Sequence, residues 1–184
     1  MAFPRVYGYG DNGFEDGGFG CSYRNAQTLL GALGVRDGEI PSVRDMMVSL
    51  GVEFDRGRPL SDMWIEPLQI RDLVHAIAGR RLRALVAGSL PLAESRMLRN
   101  VPAQYDGHVP AVEDLHGMIR ASLRRGVPVV IDDGIGSYIV LGVADDGGGY
   151  VVGDPHRRSD RIVGWSRDRV DTCPLWMVLL DDGE

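Results

Sequence analysis

Two short segments hold side chains whose types and spacing suit covalent chemistry. In Gly18-Phe19-Gly20-Cys21-Ser22-Tyr23-Arg24-Asn25 a cysteine stands at the start of an apolar-periodic stretch. In Gly153-Asp154-Pro155-His156 a carboxylate and an imidazole stand two residues apart. A thiolate can attack a carbonyl carbon, an imidazole can move the proton, and a carboxylate can orient the imidazole and stabilise its charged form. The chain has only two cysteines and four histidines from which to build such a site. A helix beginning at Cys21 would point unpaired N–H groups and partial positive charge at the sulfur, which favours the thiolate. Gly18 and Gly20 would let a substrate backbone come close, and the Cys21 N–H would serve as an oxyanion donor. Tyr7 or Tyr9, in the glycine-rich stretch just before, offers a hydroxyl as a second donor.

Each of these residues also has a plainer reading. Cys21 could be a small core residue, Asp154-Pro155-His156 a surface turn helped outward by Arg157-Arg158, and the tyrosines packing for a loop. His75, His108 and His116 are weaker candidates; His75 reads as a partly buried helix residue. No cysteine–histidine spacing suits zinc. Gly18-Phe19-Gly20 lacks the strand–turn–helix context of a dinucleotide or phosphate loop. No metal and no cofactor is therefore expected.

The elements that must position these groups follow from periodicity. Residues 1–20 read as an ordered loop. A helix from Cys21 carries Ala26, Leu29, Leu30 and Leu33 on one face and stops at Gly34. A second, capped by Ser42, runs through Met46, Met47 and Leu50 to Gly51. Residues 52–63 read as loop. A third helix over 66–78 turns Ile70, Val74 and Ile77 inward, and 82–86 reads as a short strand. Residues 88–110 hold three prolines and little periodicity, which suggests a long surface excursion. A fourth helix over 112–125 turns Leu115, Ile119 and Leu123 inward. Strands are expected over 127–131, 138–143, 150–152 and 174–180. Asp145-Asp146-Gly147-Gly148-Gly149 marks a hairpin between the middle pair. Helices first and antiparallel strands second make an α+β domain, expected to be a single catalytic unit over 1–184.

Composition narrows the setting. A chain of 184 residues with 44% hydrophobic and 25% charged content is ordinary for a globular protein with a sizeable core. No apolar run is long enough to span a bilayer, and there is no signal-like start. Cys21 and Cys173 do not make a disulfide framework, so a reducing, cytoplasmic compartment is expected. The net charge of -6 argues against nucleic acid as a partner. All twenty basic residues are arginine. That fits a GC-rich genome; it also fits a protein of a lysine-conjugation pathway that avoids becoming a target.

Taken together, the motifs resemble those of the ubiquitin-fold-modifier-specific proteases. Asp11-Asn12-Gly13 and the Gly18–Thr28 block are similar to that family's Asp-(Asp/Asn)-Gly…Gly-Trp-Gly-Cys-x-Tyr-Arg-x-x-Gln-Thr. Ile40-Pro41-Ser42, Trp64-Ile65, Pro128-Val129-Val130-Ile131, Leu141-Gly142-Val143-Ala144, Asp154-Pro155-His156 and Gly164-Trp165 follow in the family's order across nearly the whole chain. The resemblance implies a papain-like cysteine peptidase fold with Cys21 as nucleophile, His156 as general base, Asp154 as its orienting partner and Tyr9 as oxyanion donor. It implies a thiol protease or isopeptidase that cuts after the C-terminal glycine of a ubiquitin-like modifier, in precursor processing or deconjugation from lysine. Its partners would be that modifier and its conjugates.

The chain departs from the pattern in places. Phe19 replaces a tryptophan. Glu66 replaces a glycine after Trp64-Ile65, and Asp132-Asp133 stand where Gly-Gly is common; both changes bear on what a channel for a glycine-ended tail admits. Tyr138 stands where some related peptidases carry a strand histidine as base, so catalysis must rest on His156 or be absent. Two other readings follow. One is a cysteine hydrolase acting on ubiquitin, another conjugate or a small amide. The other is a catalytically silent module that binds a modifier without cutting it.

Overall fold

The computed structural model describes residues 3–88, 105–109, 111–145 and 147–183. Most of the expected excursion over 88–110 lies outside these residues. Helix α1 (Cys21–Ala32) begins at the expected cysteine and ends at Leu33, with Gly34 at φ +90°. There the N–H groups of Gly34 and Val35 return to the carbonyls of Gly31 and Leu30, which closes the last turn. Helix α2 (Val43–Ser49) is capped by Ser42, whose hydroxyl accepts from the Asp45 N–H while the Asp45 carboxylate accepts from the Ser42 N–H. Helix α3 (Pro67–Ala78) starts with proline at its first position and stops at Gly79 in the left-handed region.

The strands are β1 (Leu82–Ala87), β2 (Gly107–Val109), β3 (Val129–Asp132), β4 (Ser137–Val143), β5 (Gly149–Gly153), β6 (Ile162–Ser166) and β7 (Trp176–Asp181). Helices α4 (Val112–Arg124) and α5 (Arg167–Asp171) complete the elements. The sheet order is β2-β1-β7-β3-β4-β5-β6. Every pairing is antiparallel except that of β1 with β2. Strands β2 and β6 and helix α5 were not expected from periodicity. They are short or lie at the edges, where one face stays wet and the apolar signal is weak.

Both faces of the sheet are covered, and the side chains divide by the period of two. Ala84, Val86, Val130, Ile139, Met177 and Leu179 face α1, α2 and α3. Leu85, Ala87, Val129, Ile131, Val178 and Leu180 face α4 and α5. This double cover explains why β1, β3 and β7 read as continuous apolar runs rather than alternating ones. Ile70 and Val74 are fully buried, but Ile77 is 38% exposed in the last turn of α3. His75 is exposed rather than partly buried. Residues 60–63 form a 3-10 turn within the stretch expected to be loop. No helix among the described residues is long and apolar enough to cross a membrane.

Candidate active site

Helix α1 is buried on all sides from Cys21 to Leu30, so its polar residues are buried along with its leucines. An amphipathic helix leaves its polar face in water; here the loop over 3–20 and the start of β4 cover it. Each buried polar group is then used as a tie. Arg24, 1% exposed, donates from Nε to Asp16 at 2.6 Å, from Nη1 to Gln27 and from Nη2 to the Asp11 carbonyl. Asp16 accepts in addition from the Gly10 N–H, and its own carbonyl accepts from the Phe19 and Gly20 N–H groups. The Thr28 hydroxyl accepts from the Tyr7 N–H at 3.0 Å. The glycine-rich loop is thus clamped onto the first turns of α1. Gly20 is required there, because a Cβ would lie 2.1 Å from the Asp16 carboxylate.

Cys21 opens α1 and is 6% exposed. Its thiol neighbours the Tyr9 hydroxyl and the His156 ring closely enough that its charge acts on both, and the Cys21 backbone N–H acts on the Tyr9 hydroxyl as well. Burial, and then the negative charge of a Cys21 thiolate, push the Tyr9 hydroxyl pKa far upward, so this group stays protonated and can donate. The other tyrosine points elsewhere. Tyr7 stacks under Arg5, and its hydroxyl donates toward Asp37 at 3.5 Å.

Asp154 and His156 meet, though not by the geometry expected. Strand β5 ends at Gly153, and Asp154-Pro155-His156-Arg157 forms a turn closed by the Arg157 N–H on the Asp154 carbonyl. In this turn Asp154 Oδ1 accepts from both the His156 N–H, at 3.0 Å, and His156 Nδ1, at 2.8 Å. An extended strand end would place the two side chains on one face; the turn instead wraps them onto one oxygen. Since a carboxylate only accepts, Nδ1 carries the hydrogen, and Nε2 is the nitrogen left for Cys21. Burial pulls the His156 pKa down. Hydrogen bonds to Cys21 and Asp154, with their charges, outweigh it and leave the ring above its ordinary value.

The ring is walled on either side. Tyr9 packs edge-on with centroids 5.3 Å apart, and Tyr138 lies at 5.2 Å. Tyr138 rests on Trp165, which carries Arg169 over its face. Tyr138 is therefore a wall for His156. The Tyr9 N–H donates to the Pro155 carbonyl at 3.1 Å, and Arg161 grips Asp11 through two bonds at 2.7 and 2.9 Å. These bonds lock the loop before α1 to the turn after β5. Burial raises the Asp11 carboxyl pKa, but Arg161 and the Gly8 N–H more than offset this and hold it below its usual range. Asp11, Asp16, Arg24 and Arg161 are the supporting residues that sequence reasoning did not single out for a role. The only signal was the place of Asp11 and Arg24 inside quoted motifs.

Two cavities adjoin the pair. One of about 240 Å³ is lined by Cys21, Trp64, Glu66, Asp132 and Met177 among others. The other, about 700 Å³, is lined by Tyr9, His156, Phe19, Phe54 and several arginines. In the first, Asp132 accepts from the Gly134 N–H, and burial pushes its carboxyl up to about 7. Burial also raises Glu66. Asn25, one turn after Cys21, donates to the Ser137 hydroxyl at 3.0 Å, which ties α1 to the start of β4 below this cavity. His116 sits apart from all of this, buried between Tyr150 at 2.5 Å and Asp171 at 2.6 Å. His108 bonds the Gly88 carbonyl, and both cysteines are free.

No protein-family model matches the sequence, and no curated protein matches it. A solved structure, that of UfSP from C. elegans, matches in three dimensions with a TM-score of 0.62 at 20% identity. The match covers 95% of this chain and 32% of that one, so the chain spans less than half the length of that relative. The fold is thus α+β and papain-like, the one implied by the resemblance of its motifs to the ubiquitin-fold-modifier-specific proteases.

Proposed function

We propose that the chain is a cysteine peptidase that hydrolyses the amide bond after the C-terminal glycine of a ubiquitin-like modifier. The observation that carries this reading is the convergence of Cys21, His156, Asp154 and Tyr9 at the mouth of α1. The likeness of the fold to UfSP supports it. In the first step His156 Nε2 takes the Cys21 thiol proton, the thiolate attacks the glycine carbonyl carbon, and an S–C bond forms as the C=O electrons move to oxygen. The Tyr9 hydroxyl and the Cys21 N–H donate to that oxyanion. The C–N bond then breaks, and His156 Nε2–H gives its proton to the leaving amine. Water attacks the thioester, His156 takes its proton, and the S–C bond breaks to release the carboxylate and restore the thiolate. Asp154 keeps Nδ1 protonated throughout.

The test is intact-mass labelling with modifier probes that carry a thiol-reactive group at the C-terminus. Ubiquitin-fold modifier would be run beside ubiquitin and its relatives. A single-addition adduct is expected with wild type and none with Cys21→Ala; an adduct that survives Cys21→Ala would sink the assignment. His156→Ala should slow labelling. Tight binding of a probe with no adduct would favour the silent binding module. An adduct with ubiquitin alone would move the substrate to that modifier.

A further inference from the structure

Resting on this peptidase reading, the chemistry of the step assigns the two cavities to opposite halves of the substrate. The acyl group becomes bonded to Cys21 sulfur, so the cavity lined by Cys21 takes the acyl side. The leaving amine receives its proton from His156, so the cavity lined by His156 and Tyr9 takes the amine side. The acyl-side cavity carries the carboxyls of Glu66 and Asp132. The amine-side cavity carries Arg56, Arg157, Arg158 and Arg161.

The carboxylates around the amine-side cavity are already engaged. Asp11 holds Arg161, Asp16 holds Arg24, Asp154 holds His156, and Glu15 lies 3.8 Å from Arg56. Arg157 and Arg158 have no carboxylate partner among the described residues, and both are exposed on the cavity rim directly after His156. Asp160, in the same turn, does not line the cavity. Below the rim, Phe54 and Leu60 are 41% and 48% exposed, over buried Phe19 and Met63. The amine-side cavity therefore combines exposed apolar side chains with two guanidiniums that have no carboxylate partner among the described residues. Guanidinium forks bind carboxylates in two-point geometry.

We infer that Arg157 and Arg158 select substrates in which the chain supplying the leaving amine bears carboxylates within a few residues of the scissile bond.

The test uses the full chain and three internally quenched peptides. They share the terminal segment of the modifier that labels Cys21 and differ only after the glycine: Ser-Asp-Glu-Asp, Ser-Asn-Gln-Asn or Ser-Arg-Lys-Arg. At low ionic strength kcat/KM is expected to be roughly tenfold higher for the acidic than for the neutral leaving segment and lowest for the basic one, with the spread shrinking as salt is added. The acidic-to-neutral ratio should fall toward one in Arg157→Ser/Arg158→Ser and persist in Arg157→Lys/Arg158→Lys. Equal rates for the three peptides in wild type, or an unchanged ratio in the serine double variant, would overturn the inference. A second arm does not need catalysis: Ser-Asp-Glu-Asp is titrated into ¹⁵N-labelled protein and followed by NMR. Shifts around 156–158 with several-fold weaker binding in the serine variant support the inference, and equal binding overturns it. Failure of the peptidase reading shows separately, as no cleavage of any peptide.

Discussion

At the scale of single residues, Tyr9 is the most exposed part of the proposed chemistry to test. Its hydroxyl neighbours Cys21, and burial, with the negative charge Cys21 carries when ionised, keeps it protonated. Removing one oxyanion donor costs about 10²–10³ in rate. Tyr9→Phe should therefore lower kcat by roughly that factor, with little change in KM, measured on the modifier amide that the labelling experiment selects. An unchanged kcat would leave the oxyanion to the Cys21 N–H alone. Asp132 makes a prediction about pH. Its carboxyl is pushed from its ordinary value of 3.8 up to about 7 by burial. The folded state then holds a proton that the unfolded chain has already released, so stability falls as pH rises between those two values. The loss is of the order of 4 kcal/mol if the whole shift is realised. Urea unfolding of wild type at pH 5 and pH 8 should show the part of it above pH 5, about 2–3 kcal/mol, and Asp132→Asn should flatten it. Equal pH dependence in the variant would move the effect to another group.

At the scale of elements, the loop before α1 is held by buried charge rather than by regular structure. Asp16 and Arg24 are 0% and 1% exposed at their side chains, and between them they bind the loop backbone at Gly10, Asp11, Phe19 and Gly20. Breaking one partner of a buried pair strands the other charge and costs about 3–5 kcal/mol. Arg24→Met should destabilise by that amount in chemical denaturation and slow labelling of Cys21, because Tyr9 and the first turn of α1 hang from the same clamp. Arg24→Met with Asp16→Asn should be milder, since no charge is left uncompensated. A double variant as unstable as the single would assign the loss to packing. The same element logic explains the turn after β5. Asp154 serves the His156 backbone and ring with one oxygen, and the Tyr9 N–H rests on Pro155. The two halves of the site are thus joined by backbone as well as by side chains.

At the scale of the whole molecule, β7 is the strand on which both cores meet. It lies between β1 and β3, with Leu179 on the face of α1–α3 and Val178 on the face of α4 and α5, both fully buried. Leu179→Ala is expected to cost about 2–5 kcal/mol in urea denaturation. Ile135→Ser, at a position 83% exposed, should stay within about 0.5 kcal/mol. A small loss at Leu179 would mean that the first core does not depend on the central strand. The double-sided cover also fixes the site, because α1 is pressed onto β4 by one core while β4, β5 and β6 are held from behind by the other.

Much of this molecule was legible from its residues alone. Helix starts and stops at Cys21, Gly34, Ser42 and Gly51 were readable because capping and left-handed stops are local chemistry, carried by the residue at that position. Apolar runs identified β1, β3, β4, β5 and β7, and the spacing around Cys21 and Asp154-Pro155-His156 brought forward groups that the fold brings together. Local chemistry does not reveal which distant groups are buried together. The ordered motifs resembled a papain-like family and implied Tyr9 rather than Tyr7, but the wrapped turn at Asp154 and the wall made by Tyr138 depend on contacts that only the fold makes. So do the clamp of Arg24 on Asp16 and the exposure of Ile77. Burial of the polar face of α1 is the clearest case. Its sequence reads as half wet, and only the loop and β4 folded over it decide that Arg24, Asn25, Gln27 and Thr28 lie inside. A buried polar group must find a partner, and those partners are what build the site.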